Sequence, residues 1–191
     1  MMAHRSLFAG ESIRAAALTG LCMALAACAT PATTDRADLA IAAQFAAADA
    51  ISPSYDPDNL IARTVSGAAG LPVVFENDRA IAFLIDRPAA RGHYIVALKH
   101  SQARNFLELD DAESLAVMQV AQRVATAEVE VLKAQGFTLR QNNGSASSVA
   151  QYHLHVIPRW SGDSIPPGVG APVKIASLAG DAASIRAAAS E

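Results

Sequence analysis

Two periodicities divide this chain. Between residues 73 and 98 apolar residues come in short runs of strand length: 73–76, a turn at Asn77-Asp78, 80–85, and then 93–98 after the interruption Arg87-Pro88-Ala89-Ala90-Arg91-Gly92. Residues 111–135 change period, with Val117, Val120, Val124, Ala127 and Val131 recurring every three or four positions, which predicts an amphipathic helix. Asp110 is placed to cap it with Glu113 three positions on, and Gly136 is placed to end it. Residues 137–141 and 151–157 then read as a strand pair joined by an Asn/Gly/Ser loop. A final helix carries Leu178, Ala182, Ile185 and Ala189 on one face. Upstream, residues 35–50 form an alanine-rich helix, Ser52-Pro53 to Pro57 breaks it, and 59–65 makes one short helix more. The pattern predicts an α+β fold: an antiparallel meander sheet of about five strands, one long helix and a C-terminal helix.

The most informative stretch is Gln151-Tyr152-His153-Leu154-His155-Val156-Ile157, where polar and apolar residues alternate. On a strand this puts Gln151, His153 and His155 on one face and sends Tyr152, Leu154 and Val156 into the core. Same-face neighbours stand roughly 7 Å apart, close enough for two imidazoles to address one phosphate group or one metal ion.

The N-terminus bears on where such a site works. Arg5 and Arg14 precede a short apolar run, 15–27, too brief for the about 20 residues a bilayer span needs. It reads as an export signal whose end, Leu25-Ala26-Ala27-Cys28, resembles a bacterial lipobox with Cys28 as the lipidated residue. Ala29 rather than Asp follows, which resembles an outer-membrane address facing the periplasm. The expected organisation is a signal peptide over 1–27, a tether and alanine-rich segment over 28–57, and one domain over 58–191. The chain has two cysteines, Cys22 in the segment expected to be removed and Cys28 to be acylated, so disulfides and Cys-ligated zinc are excluded from the mature domain. A net charge of −3 without a basic run excludes a nucleic-acid footprint.

Several motifs in order resemble the histidine-triad (HIT) superfamily of nucleotide-binding hydrolases and transferases. They are Val74-Phe75-Glu76-Asn77-Asp78 with Ala82-Phe83-Leu84, Pro88 to His93 leading into Tyr94-Ile95-Val96, the long helix, Asn142-Asn143-Gly144, and His153 to Arg159. The resemblance covers roughly residues 58–160. It implies that His153 attacks the α-phosphate of a nucleotide through a nucleotidyl-histidine intermediate, that His155 and His93 contact phosphate oxygens, and that Gln151 stands at the first triad position. Asn142, Asn143, Ser147, Ser148 and Asp86 are the implied substrate contacts. The reaction would open a phosphoanhydride or phosphoramidate bond with no metal and no cofactor. The partners implied are a nucleotide or nucleotide conjugate, a membrane through the lipid anchor, and a second copy of the chain, since many members dimerise.

The chemistry is consistent with this reading. A neutral imidazole, with an ordinary pKa near 6.5, is a nucleophile when its other nitrogen is held as a donor, and a backbone carbonyl or Gln151 could hold it. Three departures stand against the family pattern. Gln151 replaces a His. Ile85 occupies the ribose-binding acidic position, with Asp86 one residue later and expected to face the other way on a strand. The loop after Asn143 is about two residues short. A nucleotide-binding module without catalysis and a metal enzyme using His93, His153 and His155 are the rival readings.

Overall fold

The computed structural model describes residues 36–164 and 170–191. Cys28 and the other residues of the expected signal and tether before Arg36 lie outside the described residues. The compact unit containing the motifs runs from Asp35 to Glu191.

Its elements are α1 (Arg36–Ile51), α2 (Leu60–Val65), β1 (Val73–Glu76), β2 (Ala80–Leu84), β3 (Tyr94–Leu98), α3 (Asp111–Leu132), β4 (Gly136–Arg140), β5 (His153–Arg159) and α4 (Ala179–Ala189). Every strand pairing is antiparallel, and the five strands lie in the order β1-β2-β3-β5-β4. The first three are a meander. The chain then crosses along α3 to the far edge, lays down β4, and returns with β5 between β3 and β4. The histidine strand thereby has a neighbour on each side.

Strand parity sorts the side chains onto two faces. Ala82, Leu84, Tyr94, Val96, Leu154 and Val156 meet the buried faces of α3 and α4 in the main core. The opposite face carries Ile81, Phe83, Ile95 and Ala97, which pack with Ile61 of α2 in a smaller cluster. His153 pairs across from Ala97 and His155 from Ile95, so the imidazoles extend this second face.

α3 starts as its sequence indicates: the Asp110 side chain accepts from Glu113 N–H and the Glu113 side chain accepts from Asp110 N–H. Its end is earlier than expected. Lys133, not Gly136, takes the left-handed cap with φ 57° and donates its N–H to the Glu128 carbonyl, while Gly136 opens β4 opposite Arg159. The α1 segment, assigned with the tether from sequence, packs on the domain instead. Ala48 is fully buried, Asn105 Nδ2 donates to Ser52 Oγ at 2.7 Å, and a Cβ on Gly144 would lie 2.6 Å from the Ile51 carbonyl oxygen. Gly144 holds φ +55° at that contact, which is why a glycine stands there.

Candidate active site

Three imidazoles are linked in a way that fixes their protons. The Ala89 backbone N–H donates to His93 Nδ1 at 2.9 Å, and a main-chain N–H can only donate. A neutral His93 therefore carries its proton on Nε2, which lies 3.0 Å from His155 Nδ1 and donates to it. His155 in turn is left with its proton on Nε2. The second anchor has the opposite polarity: His153 Nδ1 lies 2.7 Å from the Gln151 carbonyl oxygen, which can only accept, so His153 carries its proton on Nδ1 and exposes a lone pair on Nε2. The His153 and His155 rings meet edge to face with centroids 4.9 Å apart. An acceptor atom and a donor N–H thus stand side by side on the same strand face.

All three rings are buried and held neutral. His93 is lowered to about 4, by burial first and the Arg140 charge second. His155 is lowered to about 3, by burial, then by His153, His93 and Arg140. Burial also lowers His153, against the Gln151 carbonyl, which raises it. The geometry gives the same sign. Protonating His93 Nδ1 or His155 Nδ1 would set two N–H groups against each other.

His153 and His155 open into a cavity of about 430 Å³, within the ~300–1,000 Å³ that small ligands occupy. Leu60, Ile61, Ile95 and Val149 form an apolar wall, and Asp86, Asn142, Ser147 and Ser148 also line the cavity. Strand parity does not govern Asp86, because β2 ends at Leu84. Ile85 and Asp86 are off the ladder, and both face the cavity. The Ser147 N–H is engaged by the Gly144 carbonyl and its Oγ by Val149, whereas Ser148 is exposed at the rim.

Three expected site residues serve elsewhere. His93, expected to contact phosphate oxygens, has its ring nitrogens engaged by the Ala89 N–H and by His155 instead. The Gln151 side chain is buried and its Oε1 accepts from Asn59 Nδ2 at 3.0 Å. Asn59 is the N-cap of α2, with its Oδ1 accepting from Ile61 and Ala62 N–H. Gln151 precedes β5, so strand alternation does not carry its side chain beside His153; only its carbonyl touches the triad. Asn143 turns away as well, accepting from Phe106 N–H at 3.0 Å and donating to Gln141 Oε1. Arg159 pairs with Asp163 and donates to Thr138 Oγ1 at 2.9 Å, a lock at the end of β5.

Two charged residues of the cavity carry no sequence signal of a site, Arg87 after Asp86 and Arg140. Arg140, the last residue of β4, pairs directly with His155 and lines the cavity beside it. The strand pair was legible, but a register across a loop of unusual length was not.

The HIT domain family model matches residues 70–162. Over 109 residues the chain is 32% identical to a HIT-like protein of Methanocaldococcus jannaschii, a stretch covering 54% of this chain and 81% of that one. It belongs to the HIT family. A HIT-like protein of Saccharolobus solfataricus is 31% identical over 48% of this chain and 66% of its own length. Among solved structures, a HIT-like protein of Bartonella henselae superimposes with a TM-score of 0.63 at 33% identity, over 71% of this chain and 99% of that chain. The HIT match therefore spans β1 through β5 and contains every residue that lines the cavity except those of α2.

The three imidazoles of this HIT domain do not offer a metal three convergent lone pairs. His93 Nδ1 is occupied by the Ala89 N–H and His155 Nδ1 by His93, which leaves only His153 Nε2 available.

Proposed function

We propose that this HIT protein is a nucleotide hydrolase or nucleotidyl transferase that works through a covalent nucleotidyl-His153 intermediate. The observation that carries the reading is the pair of main-chain anchors of opposite polarity, Ala89 N–H and Gln151 C=O, which together leave a lone pair on His153 Nε2 next to a proton on His155 Nε2.

His153 Nε2 attacks the α-phosphorus of the bound nucleotide. The N–P bond forms as the bond from phosphorus to the leaving group breaks. His153 keeps its Nδ1 proton and becomes a cationic N-phosphoryl imidazole, whose charge the Gln151 carbonyl stabilises. The His155 Nε2–H donates to an equatorial phosphoryl oxygen, where charge gathers in the transition state. Water then attacks the same phosphorus and the N–P bond breaks. The products are a nucleoside monophosphate, a proton and neutral His153. An alcohol or phosphate acceptor in place of water makes the reaction a transfer.

The apolar wall of Leu60, Ile61, Ile95 and Val149 suits a base, and the Asp86 carboxylate suits the ribose hydroxyls. A binding module without catalysis gains little from Gln151. Its side chain is engaged with Asn59, and the imidazole pair is complete without a third triad His. The N-terminal sequence supports export and lipidation at Cys28, which puts the chemistry in the bacterial cell envelope.

The test is release of nucleoside monophosphate from phosphoanhydride and phosphoramidate substrates by the purified protein. The parent is expected to turn over at least one class and His153→Ala none. Turnover undiminished in a folded His153→Ala protein would overturn the assignment.

A further inference from the structure

The sheet order gives the cavity a direction. Ile85 and Asp86 follow β2, Ile95 lies on β3, His153 and His155 on β5, and Arg140 on β4. The apolar wall, the Asp86 carboxylate and the exposed Arg87 therefore stand on the β2–β3 side of the histidines, and Arg140, next to His155, on the other. Arg140 and His155 are direct cross-strand partners, a relationship that puts their side chains on the same face with Cβ atoms about 4.5–5.5 Å apart. The charge is also felt by the imidazoles, since Arg140 is among the causes lowering both His93 and His155.

A substrate bound at its α-phosphorus by the histidines has two arms, the nucleoside and the leaving group. With the nucleoside over β2 and β3, where the base and ribose contacts are, the leaving group lies over β4. We infer that Arg140 is a specificity-determining residue that holds a phosphate of the leaving group, so that the substrate class is a nucleoside 5′-polyphosphate or its conjugate, opened at a phosphoanhydride bond. This rests on the nucleotidyl-histidine reading above. A guanidinium matches two phosphate oxygens at once, whereas the amine released from a phosphoramidate presents no anion to it. In the covalent step the bond from the α-phosphorus to the bridging oxygen breaks. The electron pair leaves with that oxygen, and the departing phosphate keeps its negative charge against Arg140.

The experiment is equilibrium binding to the full chain, parent and Arg140→Gln, of AMP and GMP against the α,β-methylene analogues of ADP and GDP, which differ by one phosphate and resist cleavage. A charge-assisted contact to the added phosphate should make the parent bind the diphosphate analogue roughly 10- to 100-fold more tightly than the monophosphate. Arg140→Gln should level the two while changing monophosphate affinity less than about threefold, and Arg140→Lys should restore part of the difference. Thermal unfolding of each variant confirms the fold. A parent without preference for the diphosphate analogue, or a preference that survives in Arg140→Gln, would overturn the inference while leaving His153 chemistry intact. Equal loss of both ligands in a folded Arg140→Gln protein would overturn it too, by putting the guanidinium on the shared phosphate. Failure of the parent to bind any of the four nucleotides would overturn the inference together with the nucleotide reading beneath it.

Discussion

His93 Nε2 and His155 Nδ1 lie 3.0 Å apart, and the Ala89 N–H on the far side of His93 decides which of them holds the proton. His93 precedes β3 and His155 lies on β5, so this bond makes the tautomer of a site residue depend on the loop between β2 and β3. His93→Ala removes the donor and frees His155 to place its proton on Nδ1, away from substrate. The expected loss in kcat is about 100-fold, the lower end of what positioned proton donors contribute, with KM little changed. A His93→Ala protein that loses substrate affinity but keeps kcat would show His93 to be a ligand contact instead.

The lowered histidines set the acid side of the stability curve. His93 and His155 are neutral in the fold down to about 4 and about 3, while in the unfolded chain they take up protons near pH 6.5. The unfolded state then binds more protons, so stability is complete above pH 6.5 and falls as the pH drops towards 4. Denaturant midpoints measured between pH 7 and 4 should show this slope, and His93→Ala should make it shallower.

Glu128 works against the fold from the other side. It is fully buried on α3, with neither carboxyl oxygen hydrogen-bonded. Burial first, and the Asp181 charge second, push it up to about 9. The fold keeps this group protonated while the unfolded chain releases the proton near pH 4.5, so stability contributed below that pH is lost as the pH rises towards 9. Glu128→Met removes an unpaired buried acid at similar volume and should raise stability at pH 8 by about 1–3 kcal/mol. The gain should shrink at pH 5. Beside this carboxyl stands Gly92, φ +78°, where a Cβ would lie 2.6 Å from Leu132 Cδ1 and 2.7 Å from Glu128 Oε1. The glycine lets the chain pass over α3 on its way to His93.

Gln151 tests the division between side chain and carbonyl. Gln151→Leu removes the bond to Asn59 Nδ2 but keeps the carbonyl that holds His153. Stability should fall by about 1–2 kcal/mol with kcat within a few-fold of the parent. Gln151→His, which a side-chain triad role would have predicted to speed turnover, should not raise kcat.

These residues also mark how far the sequence could be read. His153 and His155 were legible because period-two alternation is strict from Tyr152 to Val156 and a polar residue facing a cavity breaks the core pattern visibly. Gln151 was misassigned when that alternation was carried past the strand's first residue. Asp86, named as a substrate contact, does line the cavity, and only its expected facing failed, because alternation was carried past the last residue of β2. Alternation fixes facing only on the ladder. The end of α3 was missed because Lys133 adopts the left-handed cap that glycine usually takes. The contacts of Arg140 and Asn59 depend on register and on packing between elements distant in sequence, which no local pattern encodes. The α1 segment showed no strong apolar face because its residues are mostly alanine, and what ties it down lies more than fifty positions away, in Asn105 on the Ala48 carbonyl, Arg104 on Asp49 and the Leu107 carbonyl on Gln44.

The most direct measurement is intact mass of the full-length protein quenched in denaturant under alkaline conditions, during turnover of a nucleoside polyphosphate. Peptide mapping then assigns any adduct. The account predicts a transient increment equal to one nucleotidyl group, located on His153 and absent from His153→Ala. Steady turnover with no adduct, or an adduct on another residue that persists in His153→Ala, would contradict it.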